Sequence, residues 1–245
     1  MPLRRAWADN RRTAIAPAPA PAERTKPMPT PSWWTLSTAQ IAIEALAIAA
    51  FALSGLIEAA RKRLDAVGVC VVAALAAFGG GTLRDVLLDR RPFFWVEHGV
   101  WLWLVLALAV AAMLFMRARH VEPTERAMQW PDALGLGLFT ASGLQIALAA
   151  GMPALVAVVM GMVTAVFGGV LRDIVCNEIP RAFSDHRPYA LCAFAGGWIG
   201  VAAHGAGLGA EAVLLLTAGS TIALRALALL TGWQLPAWRV GEPPR

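Results

Sequence analysis

The chain has 245 residues, of which 58% are hydrophobic and 15% charged, with 21 Lys and Arg against 16 Asp and Glu for a formal net charge of +5. A soluble globule of this make-up would expose apolar surface on nearly every helix, so composition excludes that class and indicates a polytopic membrane protein. Cys70, Cys176 and Cys192 lie in apolar runs without CxxC or metal-ligand spacing, which argues against redox or metal chemistry.

Residues 1–35 are rich in Pro, Ala and Arg and contain no apolar run of signal-peptide length, so a disordered tail is expected, with Met1 or Met28 as the start. A bilayer core of about 30 Å takes roughly 20 apolar residues as helix. Seven stretches meet this: 36–59, 66–89, 97–117, 132–150, 154–177, 188–205 and 210–231. Trp33, Trp34, Trp95, Trp130 and Trp233 fall near their ends, as interfacial aromatic residues do.

The second and fifth stretches carry nearly the same words. Phe78, Gly79, Gly80, Gly81, Thr82, Leu83, Arg84 and Asp85 are matched by Phe167, Gly168, Gly169, Val170, Leu171, Arg172 and Asp173. At a constant offset of 88, Ser54 and Gly55 fall on Ser142 and Gly143, Ala77 on Ala165, Gly80 and Gly81 on Gly168 and Gly169, Arg84 and Asp85 on Arg172 and Asp173, and Pro92 on Pro180. Rare charges repeating in apolar surroundings mark a duplication. The period covers three crossings, an odd number, so the second copy is expected upside down. The expected fold is an all-α membrane protein of seven transmembrane helices, with repeats at 36–118 and 132–206, a seventh helix at 207–231 and a tail at 232–245.

Arg61, Lys62, Arg63, Arg117, Arg119, Arg126, Arg181, Arg187, Arg239 and Arg245 fall in loops on one side, against Arg90 and Arg91 on the other. The positive-inside bias places the first side in the cytoplasm and the N-terminus outside. Arg61, Lys62 and Arg63 also form a candidate contact for an anionic lipid head group.

The apolar run Val67–Phe78 rises only about 18 Å as helix, so Gly79 is reached inside the membrane. Gly79, Gly80 and Gly81, and Gly168 and Gly169, are therefore read as breaks, bends or unwound turns of helices 2 and 5, facing protein or a water-filled path. The competing reading is that these small residues let helices pack closely. Arg84, Asp85, Arg172, Asp173, Arg225, Glu44 and Glu58 are intramembrane charges that require partners. Successive residues point about 100° apart on a helix, so each arginine is expected to find its partner on another helix rather than in the aspartate beside it. Glu44 with Arg84, and Glu58 with Arg172 or Arg225, are the expected pairs. Gly196 and Gly200 give a GxxxG spacing suited to a close helix contact, and Gln145, Ser54, Ser142 and Ser220 are candidate path-lining groups. No phosphate-binding loop, nucleophile triad or soluble paired-carboxylate motif is present, so neither an enzyme nor a cofactor is expected.

The doubled GGGTLRD and GGVLRD, the Ser-Gly pair in each preceding helix and the closing segment from Arg225 to Pro236 resemble bacterial members of the trimeric intracellular cation (TRIC) channel family, whose repeat is also labelled glycine-transporter-like. The resemblance covers about residues 36–238. It implies a homotrimer in a bacterial inner membrane, with one pore per protomer along the two glycine-bearing helices, passing monovalent cations and chiefly potassium. It carries Gly79, Gly80, Gly81, Arg84 and Asp85, and Gly168, Gly169, Arg172 and Asp173, over as motif positions. A secondary transporter of a small zwitterion such as glycine is the alternative, with an arginine holding the carboxylate. Nucleic acid is not an expected partner.

Overall fold

The computed structural model describes residues 37–119, 124–184 and 186–236, with the side chains of 116–119 left aside. The N-terminal tail with Trp33 and Trp34, and Arg239 and Arg245, lie outside the described residues. These contain nine helices and no strand: α1 Thr38–Arg61, α2 Ala66–Leu87, α3 Phe94–Glu97, α4 Val100–Arg119, α5 Glu125–Ala149, α6 Ala154–Val175, α7 Arg181–Ser184, α8 Ala190–Gly205 and α9 Ala210–Thr231. Helices α1, α2, α5, α6 and α9 are long and apolar enough to cross a membrane, and Val100–Phe115 and Ala190–Gly205 are shorter apolar helical stretches. The chain is an all-helical membrane protein.

Local chemistry sets the helix ends. Ser37, Asp65 and Thr124 cap α1, α2 and α5 by accepting from the backbone N–H three residues on, at 3.2, 2.7 and 3.2 Å. At the other ends α1, α2, α5, α6 and α8 close in the same left-handed turn, at Arg63, Asp89, Gly151, Asn177 and Gly207 (φ 53, 50, 73, 57 and 78°). In each the next N–H reaches back five residues, as Arg90 N does to Asp85 O and Glu178 N to Asp173 O. Arg63 and Gly151, like Asp89 and Asn177, are 88 apart, so the duplication extends to backbone conformation.

Two sequence expectations need correction. Helix α5 starts at Glu125 rather than 132, because Thr124 caps it and Pro131 is accommodated inside the helix instead of opening it. This places Asp132 within a helix, buried. Secondly, α2 and α6 are helical without interruption through Gly79–Gly81 and Gly168–Gly169, with no unwound turn in either.

What the glycines provide is proximity. A Cβ on Gly80 would run into the Thr164 carbonyl oxygen, and a Cβ on Gly168 into that of Ala76. Ala76 and Thr164 are themselves 88 apart, so the contact is reciprocal between equivalent positions. Likewise Phe51 stacks on its counterpart Phe139, with ring centroids 5.6 Å apart. Around this centre α1 packs on α2 and α5, α6 on α2 and α5, α4 covers α1 and α2, and α8 covers α5 and α6. Helix α9 lies on α5 and α8, where Gly196 and Gly200 admit Thr221 and Thr217. Lipid tails are as apolar as this core, so cohesion comes from such close contacts and from buried polar pairs rather than from exclusion of water. Large apolar side chains such as Val67, Trp103, Leu155, Leu215 and Leu230 face outward.

Candidate functional site

The two repeated arginines lie on either side of the α2–α6 crossing. That crossing is centred between Ala76 and Gly80 on one helix and Thr164 and Gly168 on the other. Arg84 and Arg172 stand six residues beyond these centres, about 9 Å along their helices. Since the helices are antiparallel, the arginines occupy opposite ends of the contact.

Arg84 is fully buried. Its Nη1 donates to Glu44 Oε1 at 2.8 Å and to Ser142 Oγ at 3.3 Å, and its Nε donates to Asp85 Oδ1 at 2.9 Å. Ser142 Oγ in turn donates to Glu44 Oε1 at 2.7 Å. Asp85 Oδ2 accepts the Phe94 N–H at 2.8 Å, and the Phe94 ring lies 5.2 Å from the guanidinium carbon.

The second cluster repeats the first with one change of acid. Arg172 Nη1 donates to Asp132 Oδ1 at 2.6 Å and to Ser54 Oγ, and its Nε donates to Asp173 Oδ1 at 2.8 Å. Ser54 Oγ donates to Asp132 Oδ1 at 3.2 Å, and Asp173 Oδ2 accepts the Arg181 N–H at 3.0 Å. Each arginine thus takes an acid from one helix and a serine from the other half of the chain. Each cluster holds one guanidinium and two carboxylates, a formal charge of −1. Placing ions this deep demands such mutual satisfaction, because either partner left alone would carry an uncompensated charge.

Several expected pairings differ. Each arginine does reach the aspartate beside it: the long Arg side chain folds back through Nε, although the two Cβ atoms diverge. Glu58 meets neither Arg172 nor Arg225; its Oε2 accepts from Arg61 at 2.6 Å and Arg181 at 3.2 Å. Arg225, on α9, donates to Pro188 O at 3.1 Å and lies 4.9 Å over the Tyr189 ring. Of the basic triplet, Lys62 pairs with Glu178, whose carboxyl that hydrogen bond and charge hold below the usual range, and Arg63 forms the left-handed turn. Gly79 faces Leu171, and Gly81 faces Phe94. Gln145 and Ser220 stand outside both clusters.

Asp132 is the residue that sequence reasoning missed. Its signal was available: adding 88 to Glu44 gives 132, but the two acids are not identical and Pro131 suggested a helix boundary.

The family model described as "Glycine transporter" matches residues 41–118 and again 129–205, two copies whose starts are 88 apart. The chain belongs to this family. Among relatives, a UPF0126 membrane protein of Vibrio cholerae is 33% identical over 200 residues, covering 80% of this chain and 81% of the relative. The UPF0126 inner membrane protein YadS of Escherichia coli K12 is 31% identical over 208 residues, covering 83% and 98%. Solved structures similar to this glycine-transporter-family chain are TRIC channels. One, from a study of conductance through TRIC cation channels, has a TM-score of 0.74 at 30% identity, covering 83% of this chain and 98% of that one. The trimeric intracellular cation channel orthologue of Rhodobacter sphaeroides gives 0.74 at 33% identity, covering 80% and 100%.

Proposed function

We propose that this chain is a cation channel of the bacterial inner membrane, a homotrimer with one path per protomer running past the α2–α6 crossing and passing monovalent cations, chiefly potassium. In this reading α1, α2, α4, α5, α6, α8 and α9 are the seven spans. Residues 36–118 and 132–206 are inverted three-helix repeats, and 207–231 is the added seventh helix. The reciprocal Gly80–Thr164 and Gly168–Ala76 contacts support a two-fold relation between the halves, as the same patch meeting itself requires. The excess of loop arginines puts the N-terminus outside and the C-terminus in the cytoplasm. The Arg84 cluster then lies toward the outside and the Arg172 cluster toward the cytoplasm.

The observation that carries the reading is the charge balance of the two clusters. A bare arginine beside a path would repel cations. Here Glu44 and Asp85 outweigh Arg84, and Asp132 and Asp173 outweigh Arg172, so neither arginine stands as an uncompensated positive charge beside the path. A carrier for a zwitterion would need a guanidinium that offers the solute carboxylate two donors, whereas in both arginines Nε and Nη1 are already engaged and Nη2 alone is left. Because α2 and α6 are unbroken helices, their backbone carbonyls are committed to the helix, and selectivity rests on carboxylates and hydroxyls.

Recording purified protein in planar bilayers under a potassium chloride gradient tests this. Discrete steps reversing near the potassium potential support the channel. A silent bilayer together with saturable glycine uptake into liposomes would replace it with the carrier.

A further inference from the structure

The two clusters differ in what lies beside them. Phe94 in the first half corresponds to Ala182 in the second, 88 residues on. The fully buried Phe94 ring fills the space next to Gly81, and a Cβ added there would strike it. Beside Gly169, the counterpart of Gly81, that space is open. A Cβ on Gly169 would stand 3.4 Å from Tyr189 Oη, 3.5 Å from Arg172 Nη2 and 3.7 Å from Asp132 Oδ1, all ordinary contact distances. A cavity of about 10 Å³, bordered by these residues and by Met128 and Arg225, lies at this place. That is room for about one water.

The lining also specifies the occupant. Tyr189 is 5% exposed, and its hydroxyl faces Asp132 without meeting any hydrogen-bond partner among the described residues. A molecule held here accepts from Arg172 Nη2, donates to Asp132 Oδ1 and can pair with the Tyr189 hydroxyl, which serves as donor or acceptor. A cation cannot accept, and a simple anion cannot donate. Water does both and makes the usual complement of about three bonds.

We propose that Tyr189, Asp132, Arg172 and Gly169 form a binding site for a single water on the Arg172 side of the crossing, in the place that the Phe94 ring fills on the Arg84 side. The water site stands on geometry alone. Its consequence for conduction rests on the channel reading: Phe94 is the dewetting barrier of the path.

Radiolytic hydroxyl-radical footprinting of the full-length protein in detergent or nanodiscs reads the site without any need for ion flux. Radicals made from bound water oxidise the side chains around it, so Tyr189 and Met128 acquire label despite burial, whereas Phe94 and Phe51 do not. Gly169→Ala, whose methyl fits the cavity, abolishes labelling at Tyr189 while leaving the folded protein intact. Unlabelled Tyr189 in the wild type, or equal labelling in Gly169→Ala, overturns the water site and leaves the channel reading untouched. Phe94→Ala, which opens the Arg84 cluster in the same way, raises potassium flux; unchanged flux overturns the role given to Phe94.

Discussion

Asp132 accepts a hydrogen bond from Arg172 at 2.6 Å across 40 residues of sequence, and both side chains are buried. Glu44 and Arg84 repeat this relation at the same separation, which makes the acid on α1 or α5 as much a part of the duplicated device as the Arg-Asp pair on α2 or α6.

The Asp132–Arg172 pair is therefore expected to be energetically coupled, and Glu58–Arg172 is not. Asp132→Ala leaves Arg172 paired with Asp173 but takes the carboxylate acceptor from its buried Nη1, and should cost about 1–3 kcal/mol. In a double-mutant cycle with Arg172→Gln, thermal unfolding in detergent should return a coupling of about 0.5–3 kcal/mol for Asp132 and close to zero for Glu58. Equal coupling for the two acids would contradict the assignment.

The reciprocal glycine contacts make a stability prediction. Gly80→Ala and Gly168→Ala each push a methyl group into a backbone carbonyl of the facing helix. Each should destabilise by about 1–3 kcal/mol through overpacking. Gly219→Ala, inside α9 where an added Cβ meets nothing within 4 Å, is the control and should hold or raise the melting temperature through helix propensity alone. Unaltered melting in Gly80→Ala would mean that the helices do not touch there.

Much of this was legible in the sequence, because a repeated motif and rare intramembrane charges survive any detail of packing. The seven apolar stretches, the 88-residue period and the need of Arg84 for Glu44 could be read directly. Asp132 could not be seen by identity matching, since an acid replaced by a shorter acid breaks the match while keeping the charge. The glycines misled in another way. Their poor helix propensity suggested unwinding, yet the hydrogen bonds of a helix within an apolar surrounding outweigh about 1 kcal/mol of propensity per glycine. The freedom from a Cβ is used instead to bring α2 and α6 together. The fold-back of each arginine onto its neighbouring aspartate depends on side-chain reach, which Cβ geometry does not convey.

The Lys62–Glu178 pair gives a pH dependence at the membrane edge. Lys62 lowers the Glu178 value, so the stabilisation is fully present above the ordinary glutamate range and is lost as pH falls through the lowered value. The pair is exposed, so the effect on stability is small and salt-sensitive. Lys62→Gln should return the Glu178 titration, followed by carbon NMR of the labelled carboxyl, to the ordinary range; an unmoved midpoint would place the cause elsewhere.

The charge balance of the clusters also predicts graded conduction. Glu44→Gln keeps a hydrogen-bond acceptor toward Arg84 and Ser142 but makes the Arg84 cluster neutral. Potassium conductance should fall by about tenfold, equivalent to about 1.4 kcal/mol at the barrier. Asp132→Asn should do the same at the Arg172 cluster, and conductance at the wild-type level in both would remove the clusters from the path.

The reversal potential under a potassium chloride gradient, compared between wild type and Glu44→Gln/Asp132→Asn, reports whether the two clusters set ion selectivity. If the surplus carboxylates draw cations past the crossing, the wild type reverses near the potassium potential and the double variant shifts toward that of chloride. Identical reversal potentials would show that ions select their route without these two clusters.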